Sequence, residues 1–151
     1  MKYPVHSLLI ILFFPFLGLS QENDKLCTQN WFNSLSKIEK QIIVNKGTEP
    51  PFSGIYNDHF EKGVYLCRAC KNPLYHSDFK FDSKCGWAAF DDEIPGSIKR
   101  SIDFSNGLVR TEISCIKCTG HLGHVFVGEG YTKKNTRHCV NSISMEFVGH
   151  K

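Results

Sequence analysis

A chain of 151 residues with a formal net charge of +3 and 41% hydrophobic residues carries one domain's worth of sequence and enough apolar material for a core. So slight a charge excess excludes nucleic acid, or any other polyanion, as a partner recruited by electrostatics. What the composition leaves to be explained is its seven cysteines.

In chain order, Lys2 precedes an apolar run from Leu8 to Leu19, and Gly18-Leu19-Ser20 sets small residues at the first and third positions before a cut at Gln21. This predicts a secretory signal peptide over 1–20, a polar tail with the thiol Cys27 over 21–29, and one domain over 30–151. A membrane anchor is the competing reading, but the run is short of the roughly 20 residues a span needs, and Pro15 interrupts it. After cleavage no stable membrane partner is expected. Removing Lys2, and no acid, lowers the net charge from +3 to +2. An exported protein, periplasmic or secreted, meets an oxidising setting in which spare thiols do not stay inert by default.

From Trp31 to Val44, Phe32, Leu35, Ile38 and Ile42 recur at helical spacing, which predicts one short amphipathic helix. Gly47, Pro50, Pro51 and Gly54 punctuate a loop anchored by Phe52. Strands are expected over 63–67, 108–113, 124–127 and 141–148, rich in β-branched and aromatic residues, so the domain reads as antiparallel β. In the last strand Ile143, Met145 and Phe147 alternate with Ser142, Ser144 and Glu146. If that pleat extends backwards, Cys139 and Asn141 share the inward face. The polar stretch 128–136 is expected as a surface loop.

Four cysteines form two identical knuckles, Cys67-Arg68-Ala69-Cys70 and Cys115-Ile116-Lys117-Cys118. Two intervening residues let a tight turn aim both sulfurs at one point, and two such pairs complete the four-thiolate tetrahedron that zinc prefers. Disulfides are the alternative, disfavoured because a Cys-x-x-Cys bridge is strained. The 44 residues between the knuckles exceed what a simple zinc ribbon needs, so a folded insert with Cys85 lies there. A closed structural site leaves no position for substrate. Chemistry is therefore expected elsewhere.

Several ordered segments together resemble methionine sulfoxide reductase type B, the family acting on the R epimer. They are Gly47-Thr48-Glu49-Pro50-Pro51-Phe52-Ser53-Gly54, the first knuckle, Lys80-Phe81-Asp82-Ser83-Lys84-Cys85-Gly86-Trp87, Arg110-Thr111-Glu112, the second knuckle, His121-Leu122-Gly123-His124-Val125-Phe126 and Arg137-His138-Cys139-Val140-Asn141-Ser142. The match runs over about residues 30–148. It implies a mainly β fold of two antiparallel sheets in a tent-like arrangement, with a short N-terminal helical segment and a structural zinc on Cys67, Cys70, Cys115 and Cys118.

The resemblance makes Cys139 the nucleophile and Cys85 the resolving cysteine. The chemistry agrees: sulfoxide reduction needs a thiolate to attack sulfur while oxygen is protonated, then a second thiol to condense with the sulfenic acid. Arg137 beside Cys139 is a cation placed to favour its thiolate. By similarity His124 and Asn141 orient water and help protonate the sulfoxide oxygen. Trp87 forms the aromatic wall for the substrate methyl group, and His121 stands on the substrate side in a structural role. Substrate is methionine R-sulfoxide, free or in proteins, and a thioredoxin-like reductant closes the cycle. A monomer is expected. The alternative is a non-catalytic, exported zinc-ribbon binding module, in which Cys85 and Cys139 are replaceable. Three departures from the family pattern stand out. Ala88-Ala89 replaces Pro-Ser, which is expected to loosen the site. His138 replaces an aromatic residue and is expected to bring a titratable ring beside the nucleophile. The loop 129–136 lacks prolines.

Overall fold

The computed structural model describes residues 30–150; the expected signal peptide, the tail and Cys27 lie outside them. Among the described residues no helix is long and apolar enough to cross a membrane.

The predicted helix is divided. A first turn over 30–33 ends, and α1 (Lys37–Ile43) begins anew at Ser36. The cause is a capping box: the Ser36 hydroxyl accepts from the Glu39 N–H at 3.3 Å, while the Glu39 carboxylate accepts from the Ser36 N–H at 2.8 Å. Restarting the helix moves its buried face to Ile42 and Ile43 and leaves Ile38 exposed, against the predicted stripe.

Nine strands follow among the described residues. β1 (Gly63–Cys67), β2 (Pro73–His76) and β9 (Met145–Gly149) form a three-stranded antiparallel sheet in the order β2-β1-β9. The larger sheet orders β3 (Lys80–Phe81), β4 (Ala88–Phe90), β8 (Thr136–Val140), β7 (His121–Val127), β6 (Arg110–Cys115) and β5 (Ile98–Asp103), also antiparallel. The fold is therefore mainly β with two antiparallel sheets, as expected. The insert between the knuckles supplies β2 to β5 and most of β6. β6 opens at Arg110, because Leu108 and Val109 lie in an exposed hairpin turn.

Strand 141–148 is the clearest departure. β8 stops at Val140, a 3₁₀ turn occupies Ser142–Ser144, and only then does β9 carry the chain into the other sheet. Ser142 and Ser144, read as outward, are almost fully buried, because the turn rather than a pleat sets their direction. The polar stretch 128–136 is a surface turn region as predicted, with Gly128 and Gly130 at positive φ.

The core is aromatic. Tyr75 stacks on Phe90 with centroids 4.2 Å apart, and Tyr65 meets Phe90 edge-on at 5.0 Å. Leu74, Ile113, Leu122, Val140 and Met145 fill the remainder. Ala88 and Ala89 are buried inside β4, which pairs with β3 on one side and β8 on the other, so no loosening is visible there.

Candidate active site and metal centre

Both knuckles close with the same backbone turn. Lys71 N–H donates to Cys67 O and Thr119 N–H to Cys115 O, with Lys71 and Thr119 both in the left-handed region. Cys67 ends β1 and Cys115 ends β6, so one pair comes from each sheet. The four sulfurs are buried and lie within 4.8 Å of one another, with Cys67 to Cys118 and Cys70 to Cys115 each at 3.5 Å. This set could hold a metal ion and leaves no side open to substrate.

The remaining two described thiols meet beside the C-terminal end of β8. Cys139 pairs across the ladder with His124 on β7 and Ala89 on β4, and its Sγ lies 4.0 Å from that of Cys85 in the loop before β4. The Ser83 hydroxyl donates to Cys85 Sγ at 2.9 Å. Two thiols this close share their protons. Cys85 is held down to about 5, first by the hydrogen bond from Cys139 and, against burial, by that from Ser83. Cys139 is pushed up by its bond to Cys85 and then by burial. The resting negative charge thus favours Cys85.

A cleft of about 140 Å³ opens beside Cys139, lined also by Thr48, Trp87, Arg110, Gly123, His124, Phe126 and Asn141. A neighbouring polar cavity of about 380 Å³ shares Thr48, Arg110 and His124 with it and adds Lys46, Asp103, Glu112 and His121. A larger hollow of about 440 Å³ between α1 and the 47–55 loop carries no thiol.

His121 and His124 are three residues apart, which in a regular strand would put them on opposite faces. The β6–β7 register shifts between Ile113 and Ser114, so this bulge returns both rings to the cavity side, with centroids 5.6 Å apart. Each is oriented by an acid. His121 Nδ1 lies 2.8 Å from Glu112, whose other oxygen accepts from Lys46 at 2.7 Å. His124 Nε2 lies 2.7 Å from Asp103, which Arg110 also binds. Burial lowers the His121 pKa, and its Nε2 is buried without a partner. Asp103 is held well below the ordinary carboxylate range, first by Ser105 and then by His124 and Arg110.

Asn141 is nearly buried. Its Oδ1 accepts from the Glu49 N–H at 3.0 Å and its Nδ2 donates to Leu122 O at 3.1 Å, which leaves one amide hydrogen for the cleft. Trp87 Nε1 donates to Glu49 O at 3.0 Å. Arg137 makes a two-point pair with Glu129, both bonds 2.8 Å, and its guanidinium lies 4.5 Å from the Phe126 ring centroid. Its charge lowers both thiols, but less than they perturb each other.

His138 requires a correction. Alternation along β8 turns it to the face opposite Cys139, where it is completely buried, with Nδ1 3.2 Å from Tyr75 Oη and Nε2 3.1 Å from Glu93. Burial pushes its pKa down to about 4, so it is a neutral core group and no titratable neighbour of Cys139. Sequence reasoning missed Glu49, Asp103 and Glu112 as supports of the site. Glu49 and Glu112 stood inside quoted motifs, and Asp103 had no signal.

A SelR domain matches residues 35–149. Peptide methionine sulfoxide reductase B5 of Arabidopsis thaliana is 50% identical over 79% of this chain and 85% of its own length. Its namesake in Oryza sativa subsp. japonica is 49% identical over 80% and 88%. The chloroplastic B2 protein of Arabidopsis thaliana is 51% identical over 80% of this chain and 59% of its own. With two thiols in contact at a cleft, four more gathered at a closed centre and this extent of similarity, the chain belongs to the SelR-domain family of peptide methionine sulfoxide reductases type B.

Proposed function

We propose that this protein is a peptide-methionine (R)-S-oxide reductase. The observation that carries the reading is the 4.0 Å approach of Cys85 and Cys139 beside a cleft walled by Trp87, His124 and Asn141. As substrate enters, Cys139 passes its proton to the Cys85 thiolate, the acceptor already beside it. The Cys139 thiolate then attacks the sulfoxide sulfur while the oxygen takes a proton from water oriented by His124 and the free Asn141 amide hydrogen. The S–O bond breaks and that oxygen leaves as water; a water then adds to Cys139 Sγ as the new Cys139–methionine S–S bond breaks, releasing methionine and a proton and leaving Cys139 as a sulfenic acid. The Cys85 thiol condenses with it, forming the disulfide and releasing water. A thioredoxin-like dithiol donor reduces that disulfide by exchange.

The four knuckle cysteines fit zinc: sulfurs about 2.3 Å from a central zinc stand about 3.8 Å apart, close to the 3.5 Å contacts here. Bound there, the metal supplies cross-linking and no catalysis. The leader-like N-terminus supports export as a further part of this reading, so the donor would have to reach that compartment.

The test is turnover of the R and S epimers of a blocked methionine sulfoxide. Wild-type protein should reduce only the R epimer. Cys139→Ser should lose at least about a thousandfold in rate. Cys85→Ser should keep turnover with dithiothreitol and lose it with a thioredoxin system. An R epimer left untouched by folded, reduced wild-type protein would end the reductase reading and favour the binding module.

A further inference from the structure

The Gly47 to Gly54 segment has no part in the chemistry above, yet it bonds to Gly86, Trp87, Asn141 and Ser142 around the cleft. Glu49 is the centre of those contacts. A glutamate is seldom buried without a cation, but this one is only 8% exposed and pairs with no lysine or arginine among the described residues. Its carboxylate is satisfied by backbone instead: Oε1 accepts from Ser142 N–H at 2.7 Å and Oε2 from Ile143 N–H at 3.1 Å. These are donors of the 3₁₀ turn that ends the run from Cys139, and the turn itself has no acceptor for them. The main chain of the same residue holds two cleft side chains, donating to Asn141 Oδ1 and accepting from Trp87 Nε1.

We infer that Glu49 is the positioning residue of the reacting cleft, fixing Asn141, Trp87 and the turn after Cys139 relative to one another. The inference rests on the reductase reading of those three residues. The amide of Asn141 has two ends, and the Glu49 N–H decides which faces where: with Oδ1 occupied, the remaining Nδ2 hydrogen is the one offered to the cleft. The surrounding motif serves the same residue. Pro50 holds Glu49 extended, away from the helical region. Gly54 leaves room, since a Cβ there would fall on Glu49 Oε1 and Ser142 Oγ.

The experiment compares wild type, Glu49→Gln and Glu49→Asp, each also in an Asn141→Ala background, using a blocked methionine R-sulfoxide and dithiothreitol. Melting temperature and metal content report folding separately. Glu49→Gln is nearly isosteric but turns one acceptor into a donor facing an N–H. Its folded molecules should lose about tenfold or more in kcat/KM. Glu49→Asp should recover part of that. In the Asn141→Ala background the same Glu49 change should cost markedly less, because the group it positions is gone. Folded Glu49→Gln with wild-type kcat and KM, or a loss undiminished by Asn141→Ala, would overturn the inference. Should Glu49→Gln fail to fold, Glu49→Asp carries the same comparison. Wild-type protein without R-sulfoxide turnover would instead remove the reductase reading and this inference with it.

Discussion

A proton shared by two sulfurs decides the resting charge of the site. With Sγ atoms 4.0 Å apart the second ionisation is opposed by the first, so the pair carries one negative charge over a wide pH range. The hydrogen bond from Cys139, and after it that from Ser83, settles the charge on Cys85, while Cys139 keeps its proton through that same bond and then through burial. A thiol with a lowered pKa is charged above it, so the reduced protein should alkylate at Cys85 down to about pH 5 and lose that reactivity below. Iodoacetamide labelling, with the modified peptide identified by mass spectrometry, reads this directly. In Cys139→Ala the chief hydrogen bond is gone, and the midpoint for Cys85 should climb toward the ordinary thiol value of about 8.5. A wild-type midpoint already near that value would show that the charge does not rest there. It would also remove the proton acceptor from the proposed first step.

Strand irregularities, more than strands, build the cleft. The β7 bulge puts His121 and His124 on one face, and it works only because Gly123 has no side chain: a Cβ there would fall on the carbonyl oxygen of Cys139. Gly123→Ala must push β7 from β8 at Cys139 itself. It should cost about 1–3 kcal/mol in urea unfolding and should slow sulfoxide reduction. Unaltered stability and rate would mean that the ladder yields freely at this point. Elements of this kind also mark where sequence reasoning stops. The knuckles were legible because spacing along the chain carries them, and the meeting of Cys85 with Cys139 was legible through the order of the motifs around them. The bulge was not, since the strand expected over 124–127 opens only at His124, three residues after β7 begins. Nor was the break at Ser142–Ser144, where alternation of Ile143, Met145 and Phe147 argued for one continuous strand. That break is held by Glu49, more than ninety residues upstream, and no local pattern reports a partner so distant. His138 was misplaced for a related reason: adjacency to Cys139 in sequence means opposite faces in a strand.

The molecule as a whole depends on what joins its two sheets. Chain continuity joins them twice, between β2 and β3 and through the turn after Asn141, and the knuckles join them again, one pair at the end of β1 and the other at the end of β6. A domain of this size buries a modest core, so such a cross-link matters to its stability. Four buried thiols in contact also need a cation if they are to ionise together, so a metal held there would make folding and metal binding mutually dependent. Stripping the metal with a chelator should therefore unfold the protein, and Cys115→Ser, which breaks the larger sheet's half of the centre, should do so without a chelator. Metal analysis, far-ultraviolet circular dichroism and thermal melting would follow this. The expected result is loss of metal and of the cooperative melt together, with reductase activity lost in parallel because β8 and its neighbours no longer hold Cys139 against Cys85. Metal-free protein with an unaltered melt would mean that the aromatic core around Tyr65, Tyr75 and Phe90 holds the sheets unaided. Loss of activity with the fold retained would instead place the metal in the chemistry, against the closed geometry of its four sulfurs.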